Sequence, residues 1–437
     1  VVFTSKHQEH ITVTDIRLDD FDLFDAEVQQ CPHLYYEKMR EEQPVFAADA
    51  LGRQVHLITR YEDVLAVIRD TETFSSRMGG SGMPPSPELA QRLQDVYEEM
   101  NGWERVGTML TIDPPEQTRY RKLVSRAFTP RAISDLEPII RDLTTSLIDS
   151  FIDDGTCEFV KQFAVPLPVT IIARALNVPN DRLADFKRWS DDNIASIVTM
   201  ISDDERVVAE RSVIEFQHYF ADQLEQRRDN PRDDILTNLL NARIDKDEDP
   251  DIPDEPLTMA EMLSILQQLL VAGNETTTKM LTEMMRLFGE NPEEWAKVRA
   301  EPETARLAVE ETLRLATPTQ GMWRIATQDA EVGGVSITAG DRVVAMFASA
   351  NRDRELFNDP DSFCPARDGL ANHLAFGKGT HYCVGANLAR LEGRIALEEL
   401  SRRLESISLA DSNEFAYHPS FMLRGLTRLD LEFTAAR

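Results

Sequence analysis

Most of the chain carries apolar residues at helical spacing. The longest such run covers residues 258–288, with Met262, Leu266, Leu269 and Leu270 at one end and Leu281, Met284 and Leu287 at the other. Thr258 and Glu261 stand at the spacing of a capping box. Gly289 and Pro292 mark the expected end of the helix. At 1.5 Å per residue this helix spans roughly 45 Å. A second helical pattern starts just after Cys383, with Leu388, Leu391, Ile395 and Leu404 read on one face. Residues 131–240 read as amphipathic helices with polar breaks at 153–156, 179–181 and 227–234, and residues 34–41 and 61–69 as earlier helices. Strand signals are sparse. Residues 45–46 and 55–58 flank Gly52 as a hairpin, and residues 330–332, 335–337 and 343–347 form short strands after the segment 319–324. Residues 78–87 are too rich in Gly and Pro for regular structure and read as a loop. The expected fold is mainly α with small β-sheets, β-rich near 45–60 and 319–347 and helical elsewhere. No Gly/Ser- or Pro-rich linker and no repeat divides the chain, so one domain over 1–437 is expected.

Charge and cysteine usage narrow the functional classes. The net charge of -29 would repel phosphates, so nucleic acid is not an expected partner. Residues 1–20 are polar and charged, and no run of about 18 apolar residues occurs, so no membrane span is expected. Cys31, Cys157, Cys364 and Cys383 show neither a pairing pattern nor metal-site spacing, which suits a reducing cytoplasm.

Two stretches interrupt the periodicity with candidate chemistry. Residues 373–385 read His-Leu-Ala-Phe-Gly-Lys-Gly-Thr-His-Tyr-Cys-Val-Gly. Two glycines within three residues allow a close bend. Cys383 then lies just ahead of a helix N-terminus, where free N–H groups and the helix dipole favour a thiolate. Such a thiolate suits an axial ligand to haem iron; the plainer alternative is a small buried hydrophobe. The centre of the long helix, residues 272–278, reads Ala-Gly-Asn-Glu-Thr-Thr-Thr. Burying an acid, an amide and three hydroxyls is costly without a compensating role, and Ser/Thr side chains there can bend the helix. The alternative is an exposed polar patch.

The first stretch resembles the haem-binding loop of the cytochrome P450 family, Phe-Gly-x-Gly-x-(His or Arg)-x-Cys-x-Gly, at Phe376, Gly377, Gly379, His381, Cys383 and Gly385. The second resembles that family's oxygen-binding groove, Ala-Gly-x-(Asp or Glu)-Thr-Thr, with Ala272 and Gly273 beside the cofactor and Glu275 and Thr276 as the proton-handling pair. Glu311 and Arg314 match the family's Glu-x-x-Arg, a structural pair at i, i+3. Arg121 and Gln117 share a helix face and match propionate-binding positions, although many soluble members have histidine where Gln117 stands. Arg324, His373 and His381 match further propionate partners.

The resemblance implies a P450-like fold with haem b between the long central helix and the Cys383 loop. It implies a haem-thiolate monooxygenase that inserts one oxygen atom of O2 into a small organic substrate. Ile265, Leu269 and Ala272 share a helix face with Thr276, which points to an apolar compound. Candidate substrate contacts are Met83, Gln268, Leu269, Gln320, Met322, Phe421 and Met422. With no nucleotide, flavin or iron–sulfur motif in the chain, the implied electron donors are a ferredoxin and its NAD(P)H-dependent reductase. Arg119, Arg121, Lys122, Arg126 and Arg131 cluster in one segment and Lys378 lies in the Cys383 loop, and some of these are expected to be exposed and to form the positive patch that meets the ferredoxin. A cytoplasmic monomer is implied. The alternatives are a peroxide-driven peroxygenase, which would replace the Glu275–Thr276 pair, and a non-enzymatic haem sensor or carrier.

Overall fold

In the computed structural model, residues 13–50, 52–77, 85–127, 130–198, 201–244, 250 and 252–436 are described. The chain divides into two compact units, each assembled from discontinuous stretches. The first comprises Val1–Phe74, Glu137–Pro168 and Glu275–Arg437, and the second Ser75–Leu136 and Val169–Asn274.

The first unit holds the strands. β1 (Val45–Asp49) and β2 (Gln54–Ile58) form the expected hairpin, with Val45 opposite Ile58. Their sheet continues through β8 (Arg342–Ala345), which runs parallel to β2, and β5 (Met322–Ala326), antiparallel to β8, with β3 (Phe74–Ser75) at its edge. Val64 and Val67 of the helix Tyr61–Arg69 pack with Ile58, Val343 and Leu374 into one apolar core. Leu374 opens the Cys383 loop, so that loop is anchored directly on the sheet core. β6 (Ala330–Val332) and β7 (Val335–Ile337) form a two-stranded hairpin.

A further sheet, of three strands, differs from the expected helical remainder. β4 (Thr156–Glu158), β10 (Asp430–Ala435) and β9 (Leu404–Leu409) pair in the order β4-β10-β9. Leu404, read from the sequence as part of a helical face, ends the helix Ala386–Arg403 and begins β9. Its φ of -107° and ψ of 120° are already extended. The pairing of Leu431 with both Leu409 and Cys157 joins segments far apart in the chain.

The second unit is helical. It contains Pro87–Met100, Glu116–Ala127, Asp203–Asp229 and Ile235–Asn241, with Trp189, Phe216 and Phe220 buried together. The long helix, Met259–Glu290, begins here and continues into the first unit after Asn274. The capping box is present. Glu261 N–H donates to Thr258 Oγ1 at 3.3 Å, and Thr258 N–H to Glu261 Oε2 at 2.6 Å. Tyr120 adds a hydroxyl hydrogen bond to Glu261 Oε1 at 2.5 Å, tying the helix start to Glu116–Ala127.

Candidate active site

The Cys383 loop is closed by its own backbone. Cys383 N–H donates to the Phe376 carbonyl at 2.9 Å. That closure requires left-handed backbone at Gly377 (φ 65°) and Gly379 (φ 70°), which an L side chain resists. A Cβ on Gly385 would stand 3.9 Å from Cys383 Sγ, an ordinary contact. The helix Ala386–Arg403 starts directly afterwards, and its N-cap Gly385 supplies no side-chain cap. The first-turn N–H groups therefore favour negative charge close to the sulfur. Cys383 is partly buried and forms no disulfide.

Behind the loop lies a fully buried ion pair. Arg314 Nε and Nη2 donate to the two Glu311 oxygens at 2.7 and 2.8 Å, and both side chains are 0% exposed. Arg314 Nη1 also donates to the Asn351 and Pro360 carbonyls, while Glu311 accepts from Cys364 N–H and Arg367 Nε. The Asn351 amide oxygen in turn accepts from Leu374 N–H at 2.6 Å. The pair is thus tied to the segment that feeds the Cys383 loop.

His373 requires correction. Its Nδ1 accepts from Ala375 N–H at 3.2 Å, so the proton is on Nε2, which donates to Glu310 Oε2 at 2.9 Å. Both ring nitrogens are committed to protein in a buried site, leaving none for a propionate. Glu310 was not anticipated as a member of the site. Burial alone would raise its pKa, but the hydrogen bonds from His373 and Arg390 bring it down to about 2.

In the centre of the long helix the polar residues point several ways. Lys279 Nζ meets Glu275 Oε2 at 2.5 Å one turn away, with the lysine 4% exposed and the glutamate 21%. Lys279 also fills the space in front of Gly425, where a Cβ would approach its Cγ to 2.2 Å. Thr278 Oγ1 donates to the Ala164 carbonyl, and Asn274 Nδ2 to Ser190 Oγ. Thr277 hydrogen-bonds Glu392, whose pKa burial pushes up to about 8. Thr276 is half-buried. Ala272 is exposed although Leu269, Leu270 and Asn274 are buried. At Gly273 a Cβ would make ordinary contact with Ile172, 3.6 Å away. The room that this glycine leaves therefore lies on the Ile172 side.

Arg324 is buried, with Nη1 donating to the Trp323 carbonyl at 2.6 Å. Gln117 is buried, and Arg121 and His381 are half-buried. Three substrate candidates, Gln320, Phe421 and Met322, make contacts within the fold. Gln320 Nε2 donates to the Thr317 carbonyl at 2.6 Å, capping the helix Ala305–Ala316, and its backbone N–H donates to the Met422 carbonyl. Phe421 packs edge-on against Phe24 and Trp323 in a core made with the N-terminal segment. Met322 packs against the five-stranded sheet's core rather than standing clear of it. Met422 and Leu269 are buried, and Gln268 is half-buried with an Oε1 that finds no partner among the described residues. Met83 lies outside the described residues. Arg119 donates to Glu261 Oε1 and to the Glu255 carbonyl. The Arg126 side chain is outside the described set.

The Cys383 loop fits a haem with a thiolate ligand: a sulfur ahead of a helix start that has no side-chain cap suits an anionic ligand. The comparisons with known proteins agree. A cytochrome P450 family profile matches residues 176–423. Cytochrome P450 109 of Bacillus spizizenii is 36% identical over 415 residues, 92% of each chain. The structure of the cytochrome P450 CYP109Q5 from Chondromyces apiculatus superposes with a TM-score of 0.83 at 36% identity, covering 96% of this chain and 100% of that one. The cytochrome CYP109E1 from Bacillus megaterium, solved in complex with testosterone, gives a TM-score of 0.77 at 31% identity, covering 92% and 99%. The chain belongs to the cytochrome P450 family. It is therefore a monooxygenase-class oxidoreductase with haem b as its cofactor, and no helix among the described residues is long and apolar enough to cross a membrane.

Proposed function

We propose that this P450 inserts one atom of O2 into a small, largely apolar organic substrate by hydroxylation or epoxidation, with electrons from a ferredoxin and its NAD(P)H-dependent reductase. One observation carries the substrate class. Ile265 and Leu269 are buried apolar residues on the helix face that continues to exposed Ala272 and half-buried Thr276. The complex of CYP109E1 with testosterone supports an apolar polycyclic ligand as one member of the class.

When bound, haem supplies oxygen activation, with electron density pushed from the Cys383 thiolate. In this reading Thr276 holds a relay proton, because its hydroxyl both donates and accepts. Glu275 passes protons inward, and its pairing with Lys279 fixes where that carboxylate starts. Arg121, Arg324 and His381 are the propionate partners in this proposal, and Gln117 contributes an amide donor without charge. Met422, Leu269 and Gln268 are the candidate substrate contacts among the described residues, and Met83 stays a candidate outside them.

The interleaved order of the two units supports one catalytic domain over 1–437. Four cysteines outside any disulfide support a cytoplasmic location, and we take the protein as a monomer. The test is reconstitution with a surrogate ferredoxin and reductase against a panel of steroid, terpenoid and aromatic compounds. Substrates are first chosen by the haem spectral shift that follows water displacement. Oxygenated product that depends on NAD(P)H supports the proposal. Product formed only with added hydrogen peroxide would favour the peroxygenase alternative, and spectral binding without any turnover the sensor.

A further inference from the structure

Arg390 lies on the first turns of the helix that follows Cys383 and is held from three directions. Its Nε and Nη2 donate to Glu310 Oε1 and Oε2 at 2.6 and 3.0 Å, and its Nη1 donates to the Tyr382 hydroxyl at 2.9 Å. Its guanidinium carbon lies 4.4 Å from the centroid of the Phe376 ring. Phe376 is the residue whose carbonyl accepts the Cys383 N–H, and Tyr382 is the sequence neighbour of Cys383. His373 donates to Glu310 Oε2, the oxygen that also accepts from Arg390 Nη2, and its ring lies 5.9 Å from Phe376. The cation is therefore fixed against both ends of the loop that presents the sulfur. A forked pair to both carboxylate oxygens gives it a single orientation, and its side chain is only 29% exposed, which limits solvent screening.

We propose that Arg390, oriented by Glu310, is a positioning residue that holds Phe376 against the Cys383 loop and, through its charge, raises the reduction potential of the haem bound there. The inference rests on Cys383 as the haem ligand. The physical reason is simple: reduction adds an electron to the centre, and a fixed neighbouring cation stabilises the added charge. Glu310 opposes that effect in part. Its low pKa, set against burial by His373 and Arg390, keeps it ionised at neutral pH. The two charges should thus move the potential in opposite directions when removed singly.

The test is spectroelectrochemical titration of the haem-loaded protein, with the reduced carbonyl spectrum recorded alongside. Arg390→Met should lower the ferrous-to-ferric ratio about threefold at a fixed applied potential, about 28 mV at 59 mV per tenfold for one electron. Arg390→Lys, which keeps charge but loses the planar fork, should fall between Met and wild type. The thiolate-type carbonyl band should persist in both. An unchanged midpoint in Arg390→Met with that band intact overturns the inference and leaves Cys383 ligation standing. Absence of the band from the wild type would instead sink the underlying reading. If Arg390→Met yields no haem-loaded protein, Glu310→Gln decides: a shift to more positive potential supports the inference, and no shift overturns it.

Discussion

Lys279 Nζ lies 2.5 Å from Glu275 Oε2, one helical turn away on the long helix, and the lysine is almost wholly buried. The pair is both a structural contact and a constraint on the acid proposed to pass protons. Glu275→Gln removes the charge partner of a buried ammonium and should cost about 1–3 kcal/mol as well as slowing turnover. Adding Lys279→Met removes the stranded charge. The double variant should recover melting temperature but not turnover. Thermal denaturation and product assays on the two variants separate the roles; a double variant that regained full turnover would remove Glu275 from proton delivery.

Gly425 is the other boundary of Lys279. In Gly425→Ala the new methyl would meet the lysine Cγ at 2.2 Å and Cβ at 2.9 Å, close to the helix backbone where the side chain cannot yield. Overpacking of this kind costs about 1–3 kcal/mol. The melting temperature should fall in Gly425→Ala, and most of the loss should be recovered when Lys279→Ala is added, as a double-mutant cycle measures.

Thr276→Ala removes the proposed relay hydroxyl while leaving the helix intact. NAD(P)H consumption should stay near wild type, product should fall roughly tenfold or more, and hydrogen peroxide should rise to make up the difference. Paired measurement of NAD(P)H, product and peroxide checks this. Wild-type coupling in the variant would take Thr276 out of the proton path.

Glu392 gives a prediction in pH. It is buried against Thr277, and burial raises its pKa from 4.5 to about 8. The folded protein therefore binds this proton more tightly than the unfolded chain. Its contribution is most favourable below the unfolded value and is lost as pH rises towards about 8. Between those values the slope is at most about 1.4 kcal/mol per pH unit. Glu392→Gln should flatten that dependence and make the protein more stable than wild type at pH 8. Denaturant melts at pH 5, 6.5 and 8 (chosen to span roughly that window) measure it.

How far the sequence carried can be judged at particular residues. The start of the long helix was legible because a capping box is local: Thr258 and Glu261 are three apart and bond as their spacing implies. The Cys383 bend was legible because its glycines take positive φ. The β4-β10-β9 sheet was not, since it joins residues hundreds apart and the burial of β9 does not alternate. His373 and Gln320 were assigned by position, but position does not reveal that His373 bonds Glu310 or that the Gln320 amide N–H caps the helix Ala305–Ala316 while its Oε1 finds no partner among the described residues. Arg390 and Glu310 lie 80 residues apart and met only on folding. Lys279 could have been found, being an acid-to-lysine i, i+4 pair within the polar stretch.

The central claim is that Cys383 supplies a thiolate to the haem iron, and the reduced carbonyl spectrum tests it most directly. The wild-type protein should show the red-shifted Soret band of thiolate ligation. Cys383→Ser, assembled with haem, should lose that band and show the unshifted carbonyl spectrum instead. A Cys383→Ser protein that binds haem and keeps the red-shifted band would contradict the account.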